Sequence, residues 1–338
     1  MIKLDFYESG KGETIIITFP GGGIGVVDAH PSEKVDRLHI IELVKDKKIH
    51  FLCLTHPHLD HAKDLLEVVR IRQDYEFWHT VPSLRKFFFV CTEREKYPSP
   101  VDALTEKLFR DKVKVLTELF WRVKDCKIVC RSLLNNQVAT VIDQVEIYCL
   151  SPSERIKNKI EDVYEDIVQG KNHEEPEENS LSAVLALKYG DTIIILGGDA
   201  LKKNWNDAYE KARKINLGKA LIIKVPHHGA SNSLNAKSKE NHRSYLEFCK
   251  NNRGTKAVLF AGDSRHPDEA VFAKLKGKAV LHCTANGLKT PVYDPLDLKI
   301  PGAKCLTPSK ICNPVISFTC DDKGNIVNTM GHDCSVCN

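Results

Sequence analysis

Apolar residues cluster in short runs that end in polar loops. Thr14-Ile15-Ile16-Ile17-Thr18-Phe19 is a β-branched run, Pro20-Gly21-Gly22-Gly23 a turn, and Ile24–Val27 a second run ending at Asp28. That pattern predicts a hairpin. Ile49–Thr55 is apolar almost throughout, as a strand buried on both faces should be. Helical spacing follows at Leu65, Leu66, Val68, Val69 and Ile71, and again at Leu104, Leu108, Val113, Leu116 and Leu119. Strand patterns recur at Val138–Ile142, Val145–Leu150, Leu181–Tyr189, Thr192–Leu196, Leu221–Val225 and Ala257–Ala261. Helical stretches are predicted over Leu201–Ile215 and near Lys237–Asn251. Strands alternating with helices predict an α/β layered fold.

The chain has 338 residues, 42% hydrophobic and 28% charged, the balance of a globular protein. The apolar runs are strand-sized, too short for a transmembrane helix. Met1-Ile2-Lys3-Leu4-Asp5 carries an acid where an export signal needs an apolar core, so the default compartment is the cytosol. There a set of 12 cysteines reads as buried thiols or metal ligands rather than disulfides. Residues 161–178 hold 8 acids against one Lys, the pattern of a solvated loop or helix end.

The strongest chemical signal is Thr55-His56-Pro57-His58-Leu59-Asp60-His61, directly after an apolar strand. Imidazole and carboxylate are the donors that divalent transition metals favour. In a loop at a strand end, His56 and His58 can converge on one point, while Asp60 and His61 turn to a second. Two metals ~3.5–4 Å apart use all four donors and stabilise an oxyanion between them. Gly197-Gly198-Asp199 follows the strand Thr192–Leu196, and an Asp at a strand's C-terminal end faces the ligand crevice of an α/β fold. Val225-Pro226-His227-His228-Gly229 repeats the placement and offers one further ligand, with either His227 or His228 filling the role.

Together these residues resemble the metallo-β-lactamase superfamily, whose hallmark is His-x-His-x-Asp-His. The resemblance spans residues 1–285 and implies an αββα four-layer sandwich, with a helical insertion around 72–140 and a Cys-rich extension over 286–338 packed on the body. Within that superfamily the chain resembles the soluble hydrolase domain of ComEC-type DNA-uptake proteins. Phe6–Phe19 with its glycine turn, Asn179-Ser180-Leu181-Ser182, Pro226-His227-His228-Gly229 and Arg265-His266-Pro267 fall in the right order. The membrane channel of those proteins is absent, Ala230 stands where Ser is usual, and Asn179 or His173 stands where the superfamily has a third His.

The resemblance implies a metal-dependent hydrolase with two divalent ions, zinc or, at an oxygen-rich site, manganese. His56 and His58 would hold one ion, Asp60 and His61 with His227 or His228 the other, and Asp199 would bridge; Asp28 would orient a ligand loop. Asp60, His228 and His266 are the candidate catalytic residues, His266 holding substrate or protonating the leaving group. Residues 202–256 carry 13 Lys/Arg against 4 Asp/Glu. A basic field beside two metals suits a phosphodiester, so DNA is the expected partner and a nuclease the expected activity. Lys202, Lys203, Lys237, Lys239 and Arg243 are the expected phosphate contacts, with Ser231, Asn232 and Ser233 as hydrogen-bonding groups. The alternatives are a hydrolase of small phosphoesters, phosphorylcholine-type for instance, and a non-catalytic effector that keeps the fold. Cys334-Ser335-Val336-Cys337, with two further ligands from Cys305, Cys312, Cys320 or His332, has spacing compatible with a structural zinc; buried or free thiols are the alternative.

Overall fold

The computed structural model describes residues 1–7, 12–30, 40–96, 103–171, 176–234, 244–260, 268–284 and 315–330. His173, Lys237, Lys239, Arg243, His266, Cys305, Cys312, His332, Cys334 and Cys337 lie outside them.

Two sheets face each other. The first has eight strands in the order β15-β14-β1-β2-β3-β4-β5-β6 and the second seven, in the order β13-β12-β11-β10-β9-β8-β7. In the first, β1 (Ile2–Tyr7), β2 (Thr14–Thr18) and β3 (Ile24–Val27) form an antiparallel meander. β4 (Ile49–Leu54), β5 (Glu76–His79) and β6 (Val129–Ser132) then run parallel to β3. In the second, β7 (Thr140–Ile142), β8 (Val145–Ser151), β9 (Val184–Tyr189) and β10 (Thr192–Leu196) are antiparallel. β11 (Ile222–Lys224), β12 (Thr255–Leu259) and β13 (Ala279–Cys283) continue in parallel. The hairpin β14 (Val315–Cys320) and β15 (Ile326–Met330) adds to the first sheet through β1.

The alternation of side chains along each strand builds four layers. Phe51 and Cys53 of β4 point between the sheets with Leu185, Leu187, Ile194 and Leu196. Leu52 and Leu54 point the other way, onto α1 (Ile40–Val44), α2 (Leu59–Ile71), α3 (Leu84–Lys96), α4 (Ala103–Asp125) and α5 (Glu154–Val168). Ile193, Ile195 and Ile223 face α6 (Lys202–Lys214) and α7 (Glu269–Lys276) across the second sheet. This is the αββα sandwich expected from the resemblance. Strands buried on both faces need continuous apolar runs, which is why these were legible.

Three details differ from the expectations drawn on the chain alone. The stretch 72–140 is not purely helical, because β5 and β6 cross it as strands of the first sheet. Near residue 245 the chain forms a short 3-10 turn, Tyr245–Phe248, instead of the end of a helix. The acidic run is not simply solvated: Glu161 and Glu165 pair with Lys86, and Glu178 is buried. Among the described residues, no helix is long and apolar enough to cross a membrane.

Candidate metal centre

Five chain segments meet at one edge of the sandwich. Thr55–His61 leaves β4 and enters α2, Asp28 follows β3, Gly197–Asp199 follows β10, Val225–Gly229 follows β11, and Glu13 immediately precedes β2. Backbone bonds lock the loops together. Asp28 N–H donates to Cys53 O at 2.8 Å, Ala29 N–H to His61 O at 2.9 Å, Ala183 N–H to Thr55 O at 2.9 Å and His227 N–H to Gly198 O at 3.1 Å. Two glycines allow this approach. A Cβ on Gly12 would lie 2.3 Å from Asp60 O, and Gly198 (φ +46°) sits against Thr55. Asp28, His227 and His228 take left-handed φ values of 54°, 48° and 50° although none is glycine. Such backbone strain gathers where a site over-determines the chain.

The donors converge on His61. Its Nδ1 lies 2.8 Å from Asp28 Oδ2, which leaves Nε2 3.6 Å from Asp199 Oδ2 and 3.7 Å from Asp60 Oδ2. Asp28 is anchored in turn, accepting from Thr55 N–H at 2.8 Å and from the Thr55 hydroxyl at 2.7 Å. His56 Nε2 lies 4.0 Å from Asp199 Oδ2, with its Nδ1 3.1 Å from Thr55 Oγ1. One ligand atom from each of His56, His61 and Asp199 lies within 4.8 Å of the others, and the same holds for Asp60, His61 and His228. His56 Nε2, His61 Nε2, Asp199 Oδ1 and both ring nitrogens of His228 are buried and make no hydrogen bond. Buried polar atoms rarely stay unpartnered in a folded protein, so a convergent set of bare imidazole nitrogens fits a divalent ion.

The electrostatics suit the same purpose. Burial, reinforced by His61 and His58, holds His56 well below the usual histidine range, so its lone pair is available. Burial also lowers His228, to about 4. Burial opposes protonation of His61, but Asp28, Asp60 and Asp199 outweigh it and raise its pKa well above 6.5. A divalent ion held by His61 would have to displace its proton. Asp199 stays ionised because His61, His228 and Lys224 together overcome its burial.

The structure separates His227 from His228. His228 joins Asp60 and His61, whereas His227 Nε2 lies 3.8 Å from Asp199 Oδ2 and 3.4 Å from Asn179 Nδ2. Its Nδ1 is 2.9 Å from Asn232 Oδ1. His58 belongs to none of the three-donor groups: its Nε2 lies 3.4 Å from Glu178 Oε2. Among the expected phosphate contacts, Lys203 pairs with Glu177 at 2.6 Å and Lys202 is half-buried at the start of α6. Asn232 is exposed, Ser231 half-buried, and Ser233 is buried with its hydroxyl donating to Ala230 O at 2.6 Å. Cys320 is a buried thiol facing the inter-sheet core.

Sequence reasoning missed Glu13, Lys224, Glu178 and Lys112. Glu13 and Lys224 are both fully buried and ion-paired, with Lys224 Nζ 3.8 Å from Asp199 Oδ1 and donating to Gly198 O at 2.6 Å. Burial raises the Glu13 pKa and Lys224 partly offsets it. A lysine inside the apolar run Leu221–Val225 was the available signal, since lysine is almost never fully buried unpaired. Glu178 pairs with Lys112 of α4. Burial opposes its ionisation, but Lys112 and His58 prevail and lower it to about 2.

No protein-family model matches the chain, and no curated protein matches it. Solved structures do. The metal-dependent hydrolase Tm1679 of the β-lactamase superfamily is similar over 84% of this chain and 96% of its own, at 10% identity and a TM-score of 0.44. The metallo hydrolase Igni18 from the hyperthermophilic archaeon Ignicoccus hospitalis is similar over 83% of this chain and 94% of its own, at 11% identity and a TM-score of 0.41. A mutant of the CmlA β-hydroxylase is similar over 65% of this chain at 14% identity and a TM-score of 0.37; the chain spans 35% of that protein's length.

Proposed function

We propose that this chain is a metal-dependent hydrolase that cleaves phosphodiesters, DNA foremost. The observation that carries the reading is the convergence of unpartnered, buried His56, His61 and His228 nitrogens on the carboxylates of Asp60 and Asp199. Asp60, His61 and His228 would hold one divalent ion, zinc or manganese. His56 and His58 would hold a second, with Asp199 between the two. Such ions supply a nucleophile at neutral pH by lowering the pKa of water, and they neutralise charge on the phosphoryl oxygens.

The chain's own residues prepare the pocket for this. Asp28 presents His61 Nε2 to the pocket by holding Nδ1. Lys224 is buried beside Asp199 and Glu13, so its ammonium lies 3.8 Å from the Asp199 carboxylate and favours its ionised form. Asn232 and Asn179 hold His227 from both ring nitrogens, so its orientation toward Asp199 is fixed. The surplus of 13 basic over 4 acidic residues in 202–256, which flanks His227 and His228 in sequence, supports an anionic polymer as substrate.

The test is metal analysis of the purified chain, then hydrolysis of single-stranded DNA, double-stranded DNA and a small generic phosphodiester. Bound divalent metal with salt-sensitive cleavage of DNA is the expected result. Metal-free protein without activity on reconstitution would refute the metallo-hydrolase reading. Cleavage of the small ester alone would move the substrate to a small phosphoester.

A further inference from the structure

His58 sits in the same loop as His56, Asp60 and His61, with its ring 4.4 Å from that of His56, yet it is the one donor of that motif that joins none of the three-donor groups. Its Nε2 faces Glu178, and Glu178 is not loose. Lys112 of α4 pairs with its Oε2, the Tyr164 hydroxyl of α5 donates to its Oε1 at 3.3 Å, and the side chain is 8% exposed. The helical layer thus clamps the carboxylate from two helices. The contrast with His61 is informative. Asp28 binds His61 through Nδ1 and so offers Nε2 to the pocket. Glu178 faces His58 through Nε2, the nitrogen equivalent to the one His61 leaves open. The same chemistry, a carboxylate on an imidazole, presents one ligand and withholds the other.

From this geometry we infer that Glu178, anchored by Lys112, is a positioning residue that makes the two ion sites unequal. One ion is held tightly by Asp60, His61, His228 and Asp199. A second, which needs His58, binds far more weakly. The inference rests on the metal reading above and deepens it.

The experiment is a cobalt(II) titration of the metal-free full chain, followed by ligand-field absorbance and by competition with a chromophoric chelator. The wild type is expected to show one tight equivalent and a second at least ~100-fold weaker. The variant combining Lys112→Leu and Glu178→Leu replaces a largely buried pair by apolar side chains, an exchange that folded proteins often tolerate. In it the second dissociation constant should fall at least ~10-fold, the usual size of an effect on a ligand's hydrogen-bonding partner, with the first unchanged. Adding His58→Ala should return the second constant to the wild-type value, which a merely structural effect would not do. If the double variant does not fold, Glu178→Gln should shift the second constant in the same direction. Two equally tight equivalents in the wild type would overturn the inference and leave the metal reading intact, as would an unchanged second constant in a folded variant. No tight equivalent at all would sink both.

Discussion

Asp28→Asn changes one atom of a fully buried side chain, and that atom cannot be spared. Three donors reach the two Asp28 oxygens. Thr55 N–H goes to Oδ1, while the Thr55 hydroxyl and His61 Nδ1 go to Oδ2, all within 2.8 Å. Asparagine has a single oxygen. If that oxygen takes the Oδ2 position, the new NH₂ meets Thr55 N–H, donor against donor. If it takes the Oδ1 position, the NH₂ faces His61 Nδ1 and forces the proton onto Nε2, the nitrogen the pocket needs bare. The first outcome leaves a buried donor unpaired, at about 1–3 kcal/mol of folding stability. The second costs metal affinity, on the scale of 10–100-fold seen when a ligand's hydrogen-bonding partner is lost. Urea unfolding of the metal-free protein measures the first and chelator competition the second. One of the two must move. An Asp28→Asn protein with wild-type stability and metal affinity within twofold of wild type would refute the role assigned to Asp28.

Asp199→Ala should abolish hydrolysis and lower the bound-metal content while far-ultraviolet circular dichroism stays native; full activity with metal retained would reduce Asp199 to a turn residue. His79 is held to about 3 by burial and by Lys157, against 6.5 in an exposed histidine. Below pH ~6.5 the unfolded chain therefore binds a proton there that the folded chain refuses, and the His79 contribution to stability falls as pH drops toward 3, by about 2 kcal/mol at pH 5. His79→Leu should flatten that slope in urea melts at pH 7 and pH 5, and an unchanged slope would assign the acid sensitivity elsewhere. Trp205 is fully buried against Tyr245 and Phe248, so Trp205→Ala should cost about 3–5 kcal/mol in the same assay. A cost under ~1 kcal/mol would show that the helical face of the second sheet collapses onto the gap.

The two-sheet sandwich was readable in the chain because its central strands are buried on both faces. Runs such as Ile49–Leu54 and Thr192–Leu196 are then almost entirely apolar, and turn residues mark their ends. The candidate donors were readable for a local reason too: His56, Asp60 and His61 are neighbours in one loop, so spacing alone brings them near one point, while His58 of the same loop faces Glu178. Asp199 and the His227-His228 pair were found because each follows an apolar strand, and strand ends in this fold share an edge.

Tertiary structure decided what depends on segments distant in sequence. The chain offered His227 and His228 as equals, and only the paired left-handed turn at the end of β11 sends His228 to Asp60 and His61 while His227 goes to Asn179. Glu178 sat in an acidic run that reads as solvated, but Lys112 and Tyr164 of two helices converge on it and make its burial tolerable. Lys224 could be singled out as a charge inside an apolar strand, yet its partner Glu13 immediately precedes β2, in the other sheet and far away in sequence. A sequence carries periodicity and local spacing directly. It carries ion pairs across layers only through the packing that places them, so the candidate donors were legible from the chain and their orientation came from the fold.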